Sequence, residues 1–97
     1  METARQVIWS PQAVADLRQL HGYIGKRNPD AANRLLKNII AAVNRVSEMP
    51  GMGRPGRVPG SSEWVVAPYI IVYGVSSEFL EVSRVIHGAR QWLPPKG

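Results

Sequence analysis

Apolar residues recur along this chain in three successive rhythms: alternating, then helical, then in short unbroken runs. Arg5–Trp9 alternates polar and apolar positions and reads as a short strand. Ser10-Pro11 follows, a capping hydroxyl and then a proline suited to a first helical turn. Ala13, Leu17, Leu20 and Ile24 then fall at helical spacing, flanked by Val14 and Tyr23. Asp16 suits the first turns of this helix, and Lys26 and Arg27 its C-terminal end. Gly22 and Gly25 weaken the last turns, and Pro29 forbids continuation. Asn28-Pro29-Asp30 repeats the start signal. The second helix carries Ala32, Leu35, Leu36, Ile39, Ile40, Val43 and Val46, a stripe wide enough to predict deeper burial than the first. It stops before Pro50, and the short connection predicts an antiparallel helical hairpin.

Residues 50–62 hold three of the eight prolines and four of the nine glycines, so they read as a loop, with Arg54 and Arg57 on it. Three apolar runs follow: Glu63–Ala67, Tyr69–Val75 and Leu80–Ile86, broken by Pro68 and by Ser76-Ser77-Glu78. The order predicts an α+β fold: an N-terminal strand, the helical hairpin, then a three-stranded antiparallel sheet, in a single domain over residues 1–97. The middle run is apolar at almost every position, so both its faces want cover, while two helices cover one. With Ile70 and Val72 assigned to the helix side, Tyr69, Ile71, Tyr73 and Val75 form a row pointing away, a surface for a second protein or a self-partner to cover. Trp9, Trp64 and Trp92 read as core or interface aromatics, and the tail from Trp92 to Gly97 as irregular.

Composition narrows the function classes. The chain has 97 residues, 44% hydrophobic and 20% charged, the balance of a globular protein. The absence of cysteine excludes disulfides, thiolate metal sites and cysteine nucleophiles. Two histidines without a paired carboxylate at ligand spacing predict no metal site, and nothing in the sequence points to a cofactor. The glycines of the 50–62 loop lack the Lys-Ser/Thr of a phosphate-binding loop. No signal-like N-terminus and no membrane-length apolar run is visible, so the expected location is the cytoplasm, with no membrane partner. Net charge is +5, and nine of the twelve basic residues are arginine, which favours an anionic partner: nucleic acid or an acidic protein segment.

The residues WSPQA from Trp9, Asn28-Pro29 with Ala31-Ala32, PGMGRPGR (Pro50–Arg57), YIIVY (Tyr69–Tyr73) and RVIHGARQW (Arg84–Trp92) span nearly the whole chain. In this order and spacing they resemble the ParE/RelE superfamily of bacterial toxins from type II toxin–antitoxin modules, and the ParE branch more than the RelE branch. One departure is the absence of an arginine around Ser61-Ser62. The resemblance implies the RelE/ParE-like fold and a toxin neutralised by a co-expressed ParD-like antitoxin, a DNA-binding dimer whose acidic C-terminal segment wraps the toxin; Tyr69, Ile71, Tyr73 and Val75 are then the expected antitoxin-binding residues. Operator DNA would then be reached only indirectly, through the antitoxin. The resemblance also implies DNA gyrase as the target and a role in plasmid stabilization. The alternatives are a RelE-like ribosome-dependent mRNA interferase and a toxin fold that keeps only antitoxin binding.

A ribonuclease of this kind needs a base for the 2′-hydroxyl, an acid for the leaving oxygen, and cations around the phosphorane. Arg84, His87 and Arg90 are the catalytic candidates, Arg54 and Arg57 the phosphate or target contacts, and Tyr73 a stacking platform. Strand periodicity separates Arg84 and His87 onto opposite faces unless a bulge intervenes, and no lysine falls in the loop or the sheet. The residues alone therefore favour a protein that acts by binding.

Overall fold

The computed structural model describes residues 4–88. Strand β1 (Gln6–Trp9) leads into helices α1 (Pro11–Gly25) and α2 (Pro29–Glu48). A 3-10 turn (Pro50–Met52) follows, then β2 (Arg54–Pro55), β3 (Ser62–Val66), β4 (Tyr69–Val75) and β5 (Phe79–His87). Both helix starts form as their sequences require. Ser10 Oγ accepts from Ala13 N at 3.0 Å, Asn28 Oδ1 accepts from Ala31 N at 3.0 Å, and a proline opens each helix.

The sheet runs β1-β5-β4-β3-β2, with β1 parallel to β5 and the other pairs antiparallel. Among the described residues five strands therefore stand where four were expected. The extra one is the two-residue β2, cut from the loop, and its proline is tolerated because β2 lies at the sheet edge. Ala67 and Pro68, joined by a cis peptide bond, make the β3–β4 turn. Ser76 closes the β4–β5 turn, its Oγ accepting from Phe79 N.

The helical hairpin covers one face of the sheet. Ala13 and Leu20 of α1 and Ile39, Val43 and Val46 of α2 pack with Tyr69, Ile71, Tyr73, Leu80, Val82 and Val85. Val7, Trp9, Trp64 and Val66 border this core. At a typical value near 25 cal/mol per Å² of apolar surface removed from water, these contacts are the main source of stability. Trp92 and the tail lie outside the described residues.

The two faces of β4 are the reverse of the expected ones. Tyr69, Ile71 and Tyr73 lie under the helices, at 8%, 1% and 1% exposure, while Ile70, Val72 and Ile86 form a second cluster on the other side. The reason is volume and reach. The tyrosines fill the deep space beneath the hairpin, and Tyr73 Oη donates to Pro50 O (2.9 Å), so the phenol is buried without losing its hydrogen bond. The other face is not an open row either, since Ile70, Val72 and Ile86 are at most 9% exposed. Of the four residues expected to point outward, Val75 at the strand end is the one that is exposed, at 42%.

Candidate functional site

The face of the sheet away from the helices carries a row of residues in register across three strands and the edge: Arg84 (β5), Val72 (β4), Glu63 (β3) and Arg54 (β2). Both arginines were candidates for function. Each is held by a carboxylate of the same chain.

Arg84 is held from the helical layer. β1 ends at Trp9, opposite Val82, so among the described residues the rest of β5 has no strand on that side. Helix α1 takes over there. Asp16 accepts from Arg84 Nε (2.8 Å) and Nη2 (3.2 Å), and from the backbone N of Val85 (2.9 Å). One side chain thus satisfies a sheet-edge donor and neutralises a cation. The Asp16 hydrogen bond pushes the Arg84 pKa up from its ordinary value, against the opposing effect of burial. Asp16 is therefore not a helix-dipole residue, as its sequence position had implied. A β-bulge assists: Val72 pairs with Arg84 and Tyr73 with Val82, leaving Ser83 as the extra residue. Ser10 Oγ donates to Ser83 O (2.9 Å), joining the α1 cap to the bulge.

Arg54 is held from within the sheet. Its Nε and Nη2 reach Glu63 Oε1 at 3.3 and 3.1 Å, and the backbone N of Arg57 donates to Oε2 at 3.2 Å. The Glu63 side chain is 2% exposed and that of Arg54 55%. A buried carboxylate needs this compensation, and it fixes the loop carrying both arginines. Arg54, Glu63, Met52, Trp64 and Val65 line an open cleft of about 200 Å³ beside the β3 edge.

His87 stands opposite Tyr69, their rings edge to face with centroids 5.2 Å apart. Arg84 stands opposite Val72, on the alternate face, and the bulge falls before both residues. The structure therefore does not bring His87 and Arg84 together as an acid–base pair. Arg90, the third catalytic candidate, lies outside the described residues. Tyr73 is no stacking platform, because its ring is 1% exposed; burial raises its pKa, partly offset by hydrogen bonds from Gly53 and Ser62. His21 Nε2 lies 2.9 Å from Asn33 Oδ1 and joins the two helices. Among the described residues no group of three His, Cys, Asp or Glu is placed to hold a metal ion. No helix of the described residues is long and apolar enough to cross a membrane.

Asp16 and Glu63 are the residues that sequence reading missed. A signal was present for Glu63: an acid in an apolar strand, on the face of a neighbouring valine, implies a cation within reach.

A helical hairpin on one face of a mixed five-stranded sheet is a fold shared with solved toxin–antitoxin proteins. The chain superposes on a protein from the chromosomal ParDE system of P. aeruginosa with a TM-score of 0.78 and 20% identity, covering 87% of this chain and 96% of that one. For a chain of the RelBE2 toxin–antitoxin complex of Mycobacterium tuberculosis the TM-score is 0.67 and the identity 22%, over 88% and 99% of the chains. In sequence it is 39% identical over 90 residues to protein Y4kP of Sinorhizobium fredii, covering 91% of this chain and 93% of that protein. It is 35% identical over 85 residues to the toxin RelE2 of Caulobacter vibrioides, covering 88% of this chain and 97% of the relative. Residues 7–92 match the family described as the ParE toxin of the type II toxin–antitoxin system, parDE. The chain belongs to this ParE toxin family, within the ParE/RelE superfamily.

Proposed function

We propose that this protein is a ParE-type poison of DNA gyrase that acts in the cytoplasm by binding rather than by catalysis, and that a ParD-like antitoxin neutralises it. The observation that carries the reading is the double neutralisation on the sheet. Asp16 occupies the guanidinium of Arg84, and Glu63 occupies that of Arg54. A nuclease surface presents cations that an incoming phosphate can claim. Here Arg84 and Arg54, at the two ends of the row through Val72 and Glu63, are both already paired with carboxylates. The separation of His87 from Arg84 further supports a non-catalytic role.

The antitoxin segment finds its most suitable seat at the β3 edge. β2 pairs with only Ser62 and Glu63, so among the described residues Trp64–Val66 has a strand neighbour on one side, beside the cleft that includes Met52. Val65 is 46% exposed there, an apolar contact for an added segment. The similarity to RelE2 keeps one second reading in play, a ribosome-dependent mRNA interferase.

His87→Ala separates the two. A binding poison should keep toxicity within about tenfold of the parent, with antitoxin affinity unchanged, because loss of a general acid or base typically costs on the order of 10²–10⁴ in rate. Toxicity at graded induction and antitoxin affinity should be measured on the same variant. A folded, antitoxin-binding His87→Ala protein without toxicity would overturn the non-catalytic reading.

A further inference from the structure

The positive charge of this protein is not spread evenly. Helices α1 and α2 and their connection, residues 11–48, carry Arg18, Lys26, Arg27, Arg34, Lys37 and Arg45, all exposed. Of the three acids in that stretch, Asp16 is committed to Arg84, leaving Asp30 and Glu48. The hairpin surface thus holds six cations against two carboxylates, an excess of four. In the rest of the described chain, Arg5, Arg54, Arg57 and Arg84 are balanced by Glu63, Glu78, Glu81 and the Asp16 carboxylate. The excess charge of the described residues therefore sits on the helical layer.

Its arrangement is linear. Arg34, Lys37 and Arg45 occupy α2 positions within an arc of about 80°, and the stripe runs about 16 Å along the helix axis. The stripe lies opposite the buried Ala32, Ile39, Val43 and Val46. Among the described residues no carboxylate pairs with these three cations. Lys26 and Arg27 extend the charge to the bend between the helices.

We infer that the outer face of the helical hairpin binds the phosphate backbone of duplex DNA directly, without reading sequence. A duplex presents one negative charge per ~1.7 Å of axis, so a straight cationic stripe meets several phosphates at once. Between Arg34 and Arg45 the exposed residues other than the cations are Asn38, Ile40, Ala41 and Asn44; Ile40, at 41% exposure, is a single large apolar side chain and not the apolar face that an amphipathic acidic helix or a lipid surface requires. Tyr23, at 68% exposure, is a single aromatic and not the row of stacking platforms that single strands require. Sequence reading had routed DNA through the antitoxin alone; this face gives the toxin a contact of its own. The inference does not depend on the gyrase reading.

The test is fluorescence anisotropy of the purified full chain with a labelled duplex of arbitrary sequence and roughly two helical turns, at 50–300 mM KCl, without gyrase or antitoxin. Binding should weaken with salt with a log–log slope of about −3, as expected for three to four phosphate contacts. Arg34→Gln/Arg45→Gln should lower affinity at least about tenfold at 100 mM salt and reduce the slope magnitude by about two, with helical content and melting temperature unchanged. The charge-reversed Arg34→Glu/Arg45→Glu should abolish binding. No binding at 50 mM salt, or an unchanged slope in a folded variant, would overturn the inference. So would tighter binding to phosphatidylserine vesicles or to polyglutamate than to the duplex.

Discussion

Asp16→Ala should destabilise the fold by about 2–4 kcal/mol, because it removes the acceptor of a backbone N–H and of two guanidinium bonds together. A fully buried pair broken from one side costs about 3–5 kcal/mol, and the 37% exposure of the Arg84 side chain lets water recover part of that. The loss should exceed that of any exposed charge on the hairpin, where pairs are worth roughly 0–1 kcal/mol. Asp16→Asn keeps an acceptor for Val85 N and should cost about half as much, since the charge-assisted bonds alone weaken. Urea unfolding of the three proteins checks this. An Asp16→Ala midpoint equal to that of the parent would mean that α1 does not brace the β5 edge.

Gly53→Ala should be comparably damaging. A Cβ at that position would collide with Tyr73 Oη and approach the Glu63 carbonyl to 2.9 Å. Neither can retreat easily. Tyr73 is in the core with its hydroxyl on Pro50 O, and the Glu63 carbonyl belongs to β3. Overpacking of this kind costs about 1–3 kcal/mol, and loss of the tyrosine hydrogen bond adds about 1 kcal/mol. In the double variant with Tyr73→Phe the costs should fall short of additive by about 0.5 kcal/mol or more, the sign of a shared contact. The same tyrosine makes stability depend on alkaline pH. Its folded pKa is raised above 10.0, so its contribution is present below that value and is lost as pH climbs toward the folded pKa. Tyr73→Phe should remove that part of the alkaline decline. Strict additivity would show that Gly53 and Tyr73 are not in contact, and an unchanged alkaline limb that Tyr73 does not contribute to the alkaline decline.

The helices and the N-terminal strand were legible because their signals are local, and the family because several short motifs keep their order and spacing along the chain. Ser10-Pro11 and Asn28-Pro29 are cap and first-turn pairs a few residues wide, and both act as their chemistry requires. The face assignment of β4 was not legible. Period two separates residues 69, 71 and 73 from 70 and 72, but when both sets are apolar it does not say which set meets the helices. Tyrosine volume and the distant acceptor Pro50 O decided it. Two-residue β2 escaped notice because a proline in a Gly/Pro-rich segment reads as loop until an edge position excuses it. The pairing of the sheet arginines was hidden differently in each case. Asp16 and Arg84 are 68 residues apart, so only the folded topology joins them. Arg54 and Glu63 are nine apart, and the unexpected β2–β3 register brings them together. That pairing bears most on function, because it turns Arg84, read as a catalytic candidate, and Arg54, read as a phosphate or target contact, into braces of the sheet.

The non-catalytic account is tested most directly by giving the purified chain its two possible targets in parallel. One reaction holds DNA gyrase, ATP and relaxed plasmid; the other holds ribosomes translating a defined mRNA. The account predicts that the chain blocks supercoiling and traps cleaved plasmid on gyrase, while the mRNA stays whole, and that added antitoxin reverses the block. Cleavage of the mRNA on the ribosome with supercoiling unaffected would contradict it.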